Sequence, residues 1–271
     1  MEYRKGRKNL SATIFVPYDC KNNCRFCTSK KDYKDCDGFS LDKIIDSIIS
    51  INENDTIMEY VITGGEPFAD TNKLREILNV AWRKPVYINT TLPLDTFEDS
   101  LNVINDYSCI KGINVSRHLG FDFKNVVSIA DLDRIIKPVR INTVINEYFN
   151  KDLFVDFCYA YGKKKRDINL RADYRNINED NLKSRDNISK FLSEQFDYMS
   201  SESCMVCNSE YYSVDDKFIC AYHRGMELSS VTTANGKCYV NDVLIKQNGN
   251  IYRDWDCRQD EEFEKWIIIN Q

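Results

Sequence analysis

The sequence has no apolar run approaching the roughly 18 residues needed to cross a bilayer, and its first residues lack the apolar core of a signal peptide. The expected compartment is therefore the cytoplasm, with no membrane partner. Positive charge is not in excess either: 37 Lys and Arg stand against 42 Asp and Glu, a formal net charge of −5. Such a balance gives no general drive toward nucleic acid or an anionic surface. The basic run Arg4-Lys5-Gly6-Arg7-Lys8 reads as a solvated arm, so nucleic acid is not an expected partner. Apart from an Asn/Lys/Asp bias there is no low-complexity segment, and no internal repeat recurs at a fixed period. Solenoids and fibrous chains are thereby excluded.

Cysteine is what the chain has in abundance. Eleven cysteines in 271 residues are many for a reducing compartment, where clustered thiols signal metal or catalysis more often than disulfides. Cys20, Cys24 and Cys27 stand together as "CKNNCRFC", and Cys204, Cys207, Cys220, Cys238 and Cys257 crowd the last quarter. Cys36, Cys109 and Cys158 are scattered and read as packing residues, since a lone thiol behaves as a small hydrophobe. A structural zinc site closes its tetrahedron with four protein ligands. The first trio has no obvious fourth, which suggests a metal with one open position or, more plainly, a zinc knuckle lacking a ligand.

Between residues 12 and 172 short β-rich runs alternate with helical patterns, the pattern of βα units and a parallel sheet. Strands are expected at 12–16, 59–63, 85–90, 112–116, 139–145 and 167–171, with helices at 41–51, 71–82, 94–106, 125–136 and 151–162 and a closing helix at 180–196. After residue 200 the pattern changes to hairpins, read as a separate module. The expected fold class is α/β: a partial, TIM-like (β/α)6 barrel over 1–199, then a small Cys-rich β-hairpin module over 200–271. The cysteine trio follows the first strand directly. It would occupy the first βα loop, at the C-terminal mouth where such barrels keep their sites.

"CKNNCRFC" resembles the CxxxCxxC motif of the radical S-adenosylmethionine (SAM) superfamily, including the aromatic Phe26 before the last cysteine. The resemblance implies that Cys20, Cys24 and Cys27 hold three irons of a [4Fe–4S] cluster, with SAM ligating the fourth. "TGGEP" (63–67) resembles the family's Gly-Gly-Glu-Pro loop, so Gly64, Gly65 and Glu66 are expected to hold the SAM ammonium group through backbone and carboxylate. Glycine there lets the main chain approach a ligand, and an acid meets a cation. "NVSRH" is similar to the segment bearing the family's ribose contact, which makes Ser116 the candidate, ahead of Arg117 and His118. His118 alone also reads as a structural histidine. "VRINTVINEYFN" resembles a segment of the molybdenum-cofactor GTP 3′,8-cyclases and implies SAM contacts for Asn142 and Val144. Arg171 could meet the SAM carboxylate or make a surface ion pair.

In the last quarter Cys204-x2-Cys207-x12-Cys220-x2-His223 resembles the auxiliary-cluster pattern of those cyclases. It is also a closed Cys3His set suited to zinc. The expectation is a second [4Fe–4S] cluster or zinc. Departures from the cyclases are plain: Cys207 is followed by Asn208, Ser209 and Glu210 where they carry phosphate-binding arginines, and the chain ends "WIIINQ" in place of their Gly-Gly tail. An acid repels phosphate, so GTP cyclisation is not expected. The implied activity is reductive SAM cleavage to a 5′-deoxyadenosyl radical, then hydrogen abstraction from a peptide, nucleotide or small metabolite, in an oxidoreductase or lyase. The implied reductant is a flavodoxin or ferredoxin. The alternative is a zinc-binding adaptor without radical chemistry.

Overall fold

The computed structural model describes residues 2–6, 9–17, 20–27, 38–146, 149–163, 166–172, 179–203, 208–225 and 228–269. All six expected strands are present: β2 (Leu10–Val16), β3 (Ile57–Gly64), β4 (Val86–Thr90), β5 (Ile110–Ser116), β6 (Val139–Ile145) and β7 (Arg166–Ala172). They lie side by side in chain order, every pair parallel. The connecting helices are α1 (Leu41–Asn52), α2 (Thr71–Ala81), α3 (Phe97–Asp106) and α4 (Lys151–Tyr161), with α5 (Glu179–Gln195) after β7.

Each helix forms where sequence and capping agree. In α1, Ile44, Ile48 and Ile51 repeat at helical spacing and are buried, while Ser40 caps the start by accepting from the Lys43 N–H. Asp70 and Asn150 cap α2 and α4 in the same way. The helix expected over 125–136 is absent, and only a 3-10 turn spans Asp131–Arg134. Its backbone is already committed: the Asn125 carbonyl accepts from the Leu94 N–H, and the Val127 N–H donates to the Leu92 carbonyl. Ser128 and Asp131 then exchange side-chain to backbone bonds, the local alternative that competes with helix.

Two further expectations change. Arg4 and Lys5 of the arm read as solvated keep exposed side chains but belong to strand β1 (Glu2–Lys5), parallel to β12 (Lys237–Val240) in a three-stranded sheet with β11 (Ser230–Thr232). Tyr3 drives this by packing on Phe263 and Trp266 of a terminal helix, α6 (Glu261–Ile269), that no pattern had suggested. The hairpins after residue 200 are also joined to the large sheet. β10 (Phe218–His223) lies parallel beside β7 and carries β9 (Asn208–Val214) and β8 (Asp197–Ser203) outward. β13 (Asp242–Ile245) lies parallel beside β2 and carries β14 (Ile251–Tyr252). The result is one sheet of order β14-β13-β2-β3-β4-β5-β6-β7-β10-β9-β8, extended at both edges by the segment expected to stand apart.

The two faces of this sheet differ. Ala12, Ile14, Tyr60, Ile62, Ile88, Ile113, Ile141, Ile168, Cys220 and Tyr222 share one buried core with the apolar stripes of α1 to α5. Alternation sends the neighbouring residues to the opposite face, which carries Glu59, Asn89, Asn114, Asn142, Asn169, Arg171 and His223. The strand ends at residues 16, 64, 90, 116, 145, 172 and 223 therefore fall along one edge.

Candidate functional site

The cysteine loop starts at this edge, just beyond β2. Cys20, Cys24 and Cys27 are half-buried thiols, and the Cys27 N–H donates to the Cys24 carbonyl at 3.2 Å to make a tight turn. The loop is anchored through its other residues. Asn22 is buried and accepts from the Lys124 N–H at 2.9 Å, Lys21 pairs with Asp95, and the Phe26 ring meets His118 edge-on at 4.6 Å and Phe121 at 5.9 Å. Phe123 completes this aromatic group, 4.9 Å from Phe121. Among the described residues no three His, Cys, Asp or Glu side chains stand at metal-ligand spacing. The chemistry of the donor set nevertheless fits an iron–sulfur cluster: three reduced thiols on one short, half-exposed turn, with their sulfurs left to converge when metal binds.

His118 is a support for that loop. Its Nδ1 accepts from the Val144 N–H at 3.2 Å, which leaves the proton on Nε2, and burial followed by the Arg117 charge pushes its pKa down to about 3. It stays neutral at ordinary pH. Arg117 is itself buried, donating to the carbonyls of Thr91, Ser116 and Val127, so it ties three loops together. Neither residue is presented as an acid or base.

Glu66 departs from the expectation. Its carboxylate is buried and turned inward, with Oε1 accepting from the Phe68 N–H at 3.1 Å and the Thr90 hydroxyl, and Oε2 accepting from the Thr91 N–H at 2.7 Å and hydroxyl at 2.6 Å. Burial raises its pKa, against the lowering effect of these bonds. With four donors already in place, the carboxylate is spent on joining the loop after β3 to the end of β4. Gly64 in the same turn takes φ +119°, where an L side chain is strained. Glu66→Gln should put an amide N–H₂ against a backbone N–H and cost about 1–3 kcal/mol of stability. Urea unfolding checks this, and a Gln variant as stable as the parent would show that the carboxylate is not so held.

The remaining residues gather by register. Ser116, Asn142 and Asn169 face one another across β5, β6 and β7, and one pleat nearer the edge Val144, Arg171, His223 and Ser209 align across β6, β7, β10 and β9. The Ser209 hydroxyl donates to His223 Nδ1 at 2.8 Å, His223 Nε2–H to Asn169 Oδ1 at 2.6 Å, and Asn169 Nδ2 to Asn142 Oδ1 at 3.0 Å. Burial, then the charges of Arg171 and Arg140, pushes the His223 pKa down to about 3. This row was legible in one respect that had gone unread: Ile88-Asn89, Ile113-Asn114, Ile141-Asn142 and Ile168-Asn169 repeat an Ile-Asn pair in four successive strands. Each pair sends isoleucine to the helices and asparagine to the polar face. Thr90 and Thr91 of "NTTLP" were likewise unassigned and prove to be the partners of Glu66.

Of the second metal set, Cys220 and His223 are described, and they are not brought together. Cys204 and Cys207 lie outside the described residues. Cys220 is fully buried on the helix face, where its thiol and burial push the Cys158 thiol well above the usual range. His223, three residues on, points to the polar face with both ring nitrogens hydrogen-bonded. One strand therefore presents these two side chains on opposite faces, which is incompatible with a Cys3His site using both. Cys220 also pairs with Tyr212, four residues along β9 from Asn208. Cys238 is buried on β12, and Cys257 packs with Trp255 near Phe15.

Residues 6–93, which hold both the cysteine loop and the TGGEP turn, match the family described as a 4Fe-4S single cluster domain. The chain superposes on the crystal structure of Streptococcus suis SuiB bound to S-adenosylmethionine with a TM-score of 0.58 at 14% identity, over 90% of this chain and 58% of that one. The fold is that of SuiB. This chain spans a little under three-fifths of SuiB's length. No curated protein matches the sequence. Cluster-domain match and SuiB fold both support the radical SAM resemblance, and among the described residues no helix is long and apolar enough to cross a membrane.

Proposed function

We propose that this chain is a radical SAM enzyme. The observation that carries the reading is the cysteine loop at the C-terminal end of β2, one βα unit before the TGGEP turn, on the shared edge of a parallel sheet. A [4Fe–4S] cluster held there would supply the electron for reductive cleavage of SAM, the chemistry that would allow hydrogen abstraction from a substrate. Cys20, Cys24 and Cys27 supply the thiolates. Phe26, clamped by His118, fixes the loop on the segment after β5. The backbone of Gly64 and Gly65 receives the SAM ammonium, while Ser116 and Val144 lie toward the nucleoside. The electron donor is a small cytoplasmic flavodoxin or ferredoxin.

Purified without oxygen, the protein is expected to be brown and to form 5′-deoxyadenosine from SAM and dithionite without added substrate. Colourless protein with zinc and no iron would overturn the reading in favour of a zinc-binding adaptor.

A further inference from the structure

Arg171 and Arg140 stand on the polar face, and among the described residues no carboxylate lies within ion-pair distance of either. Arg171 Nε is buried and makes no hydrogen bond. The acid nearest in register, Asp167, opposes Arg140 and already accepts from the Ile219 N–H at 2.9 Å. The asparagine relay adds to this excess of donors. Because Asn169 gives its Nδ2 to Asn142 Oδ1, Asn142 is left with its Nδ2 as a donor, one pleat from Arg171 on the neighbouring strand. His223, beside Arg171 in register, is neutral and so contributes no counter-charge. A guanidinium and an amide donor with no acceptor among the described residues are complementary to a bound anion.

SAM itself carries a carboxylate, but its place is constrained. Its ammonium and carboxylate leave the same carbon, so they lie side by side. If the Gly64-Gly65 backbone at the end of β3 takes the ammonium, β7 is four strands further across the sheet, roughly 19 Å along it at the usual strand spacing. Strand order thus sets Arg171 apart from the Gly64-Gly65 turn, and SAM affinity in Arg171 variants separates the two carboxylates.

The geometry points to Arg171, with Asn142, as the site for an anionic group of the second substrate: a small acid bearing a carboxylate or phosphate. The inference rests on the radical SAM reading for the word substrate, whereas anion binding by these residues does not depend on the cluster.

The test uses the full chain, with and without reconstituted cluster. Inorganic phosphate and acetate are each titrated by calorimetry, with chloride as the control, against the parent, Arg171→Gln and Arg171→Lys; SAM affinity is measured on the reconstituted forms. The expected result is that one of the two anions binds the parent, that Arg171→Gln weakens it at least tenfold and Arg171→Lys less, and that SAM affinity changes less than twofold. Should Arg171→Gln fail to fold, Asn142→Asp keeps the acceptor for Asn169 while replacing the donor by a negative charge, and it should abolish anion binding. Loss of SAM affinity by tenfold or more in Arg171→Gln would assign the guanidinium to SAM and overturn the proposal. So would a parent that binds neither anion, or anion binding that survives both substitutions. Anion binding in a chain that takes up no iron would leave this site standing and sink only the radical SAM reading.

Discussion

Replacing Cys20, Cys24 and Cys27 together by alanine is expected to remove the iron of the protein and to drop 5′-deoxyadenosine formation to the background of SAM and dithionite alone. The effect is total because the three thiolates are the only protein ligands the cluster has in this reading, and no neighbouring side chain can stand in: among the described residues no other three ligand groups stand at metal-binding spacing. Folding should survive, since Asn22, Lys21 and Phe26 tie the loop down. Iron and sulfide analysis with the deoxyadenosine assay read the result. Cys220→Ala should keep the parent's iron, because that thiol lies in the helix-side core with Cys158. A triple variant that retains a cluster spectrum would mean that a second set of ligands assembles elsewhere, and iron lost from Cys220→Ala would place that set on β10.

Acid should destabilise the fold steeply, beginning near the ordinary histidine pKa. The chain has two histidines, His118 and His223, and burial holds both near a pKa of about 3 in the folded state. Above about pH 6.5 both are neutral folded or unfolded, so they contribute nothing to pH dependence. Below it the unfolded chain takes up protons that the folded chain refuses, so stability falls as pH falls, until the folded-state value near 3 is reached. Each histidine adds a slope of up to about 1.4 kcal/mol per pH unit. The steepest possible combined loss is thus about 2.7 kcal/mol per unit. Urea unfolding between pH 7 and pH 5 measures the slope, and His223→Gln should reduce it by up to one proton. Two imidazole NMR signals that titrate near pH 6.5 would show that the rings are not buried as described.

Why some of this was readable in advance follows from the range of the forces involved. The six strands and five of the six helices come from patterns local to each element: β-branched runs, apolar residues at helical spacing, and caps at Ser40, Asp70 and Asn150. The helix expected over 125–136 failed because its apolar pattern competed with backbone pairing to residues 92–94, 31 and 35 positions away, which periodicity does not register. The N-terminal arm looked solvated because its charges are adjacent in sequence, yet Tyr3 finds Phe263 and Trp266 near the other end of the chain.

The sequence by itself determined the chemistry: three thiols at fixed spacing in one loop, followed by a glycine-rich turn, whatever the rest of the chain does. Covalent spacing is enough for that, since a short loop keeps its ligands within reach. Tertiary structure alone decided which other groups can join them. It turned Glu66 inward by supplying Thr90 and Thr91 from the next strand, and it placed Cys220 and His223 on opposite faces of β10. It also set Arg171 beside His223 with no acid at ion-pair distance among the described residues, because strand register brings together side chains that lie 52 residues apart, and no local pattern encodes register between parallel strands.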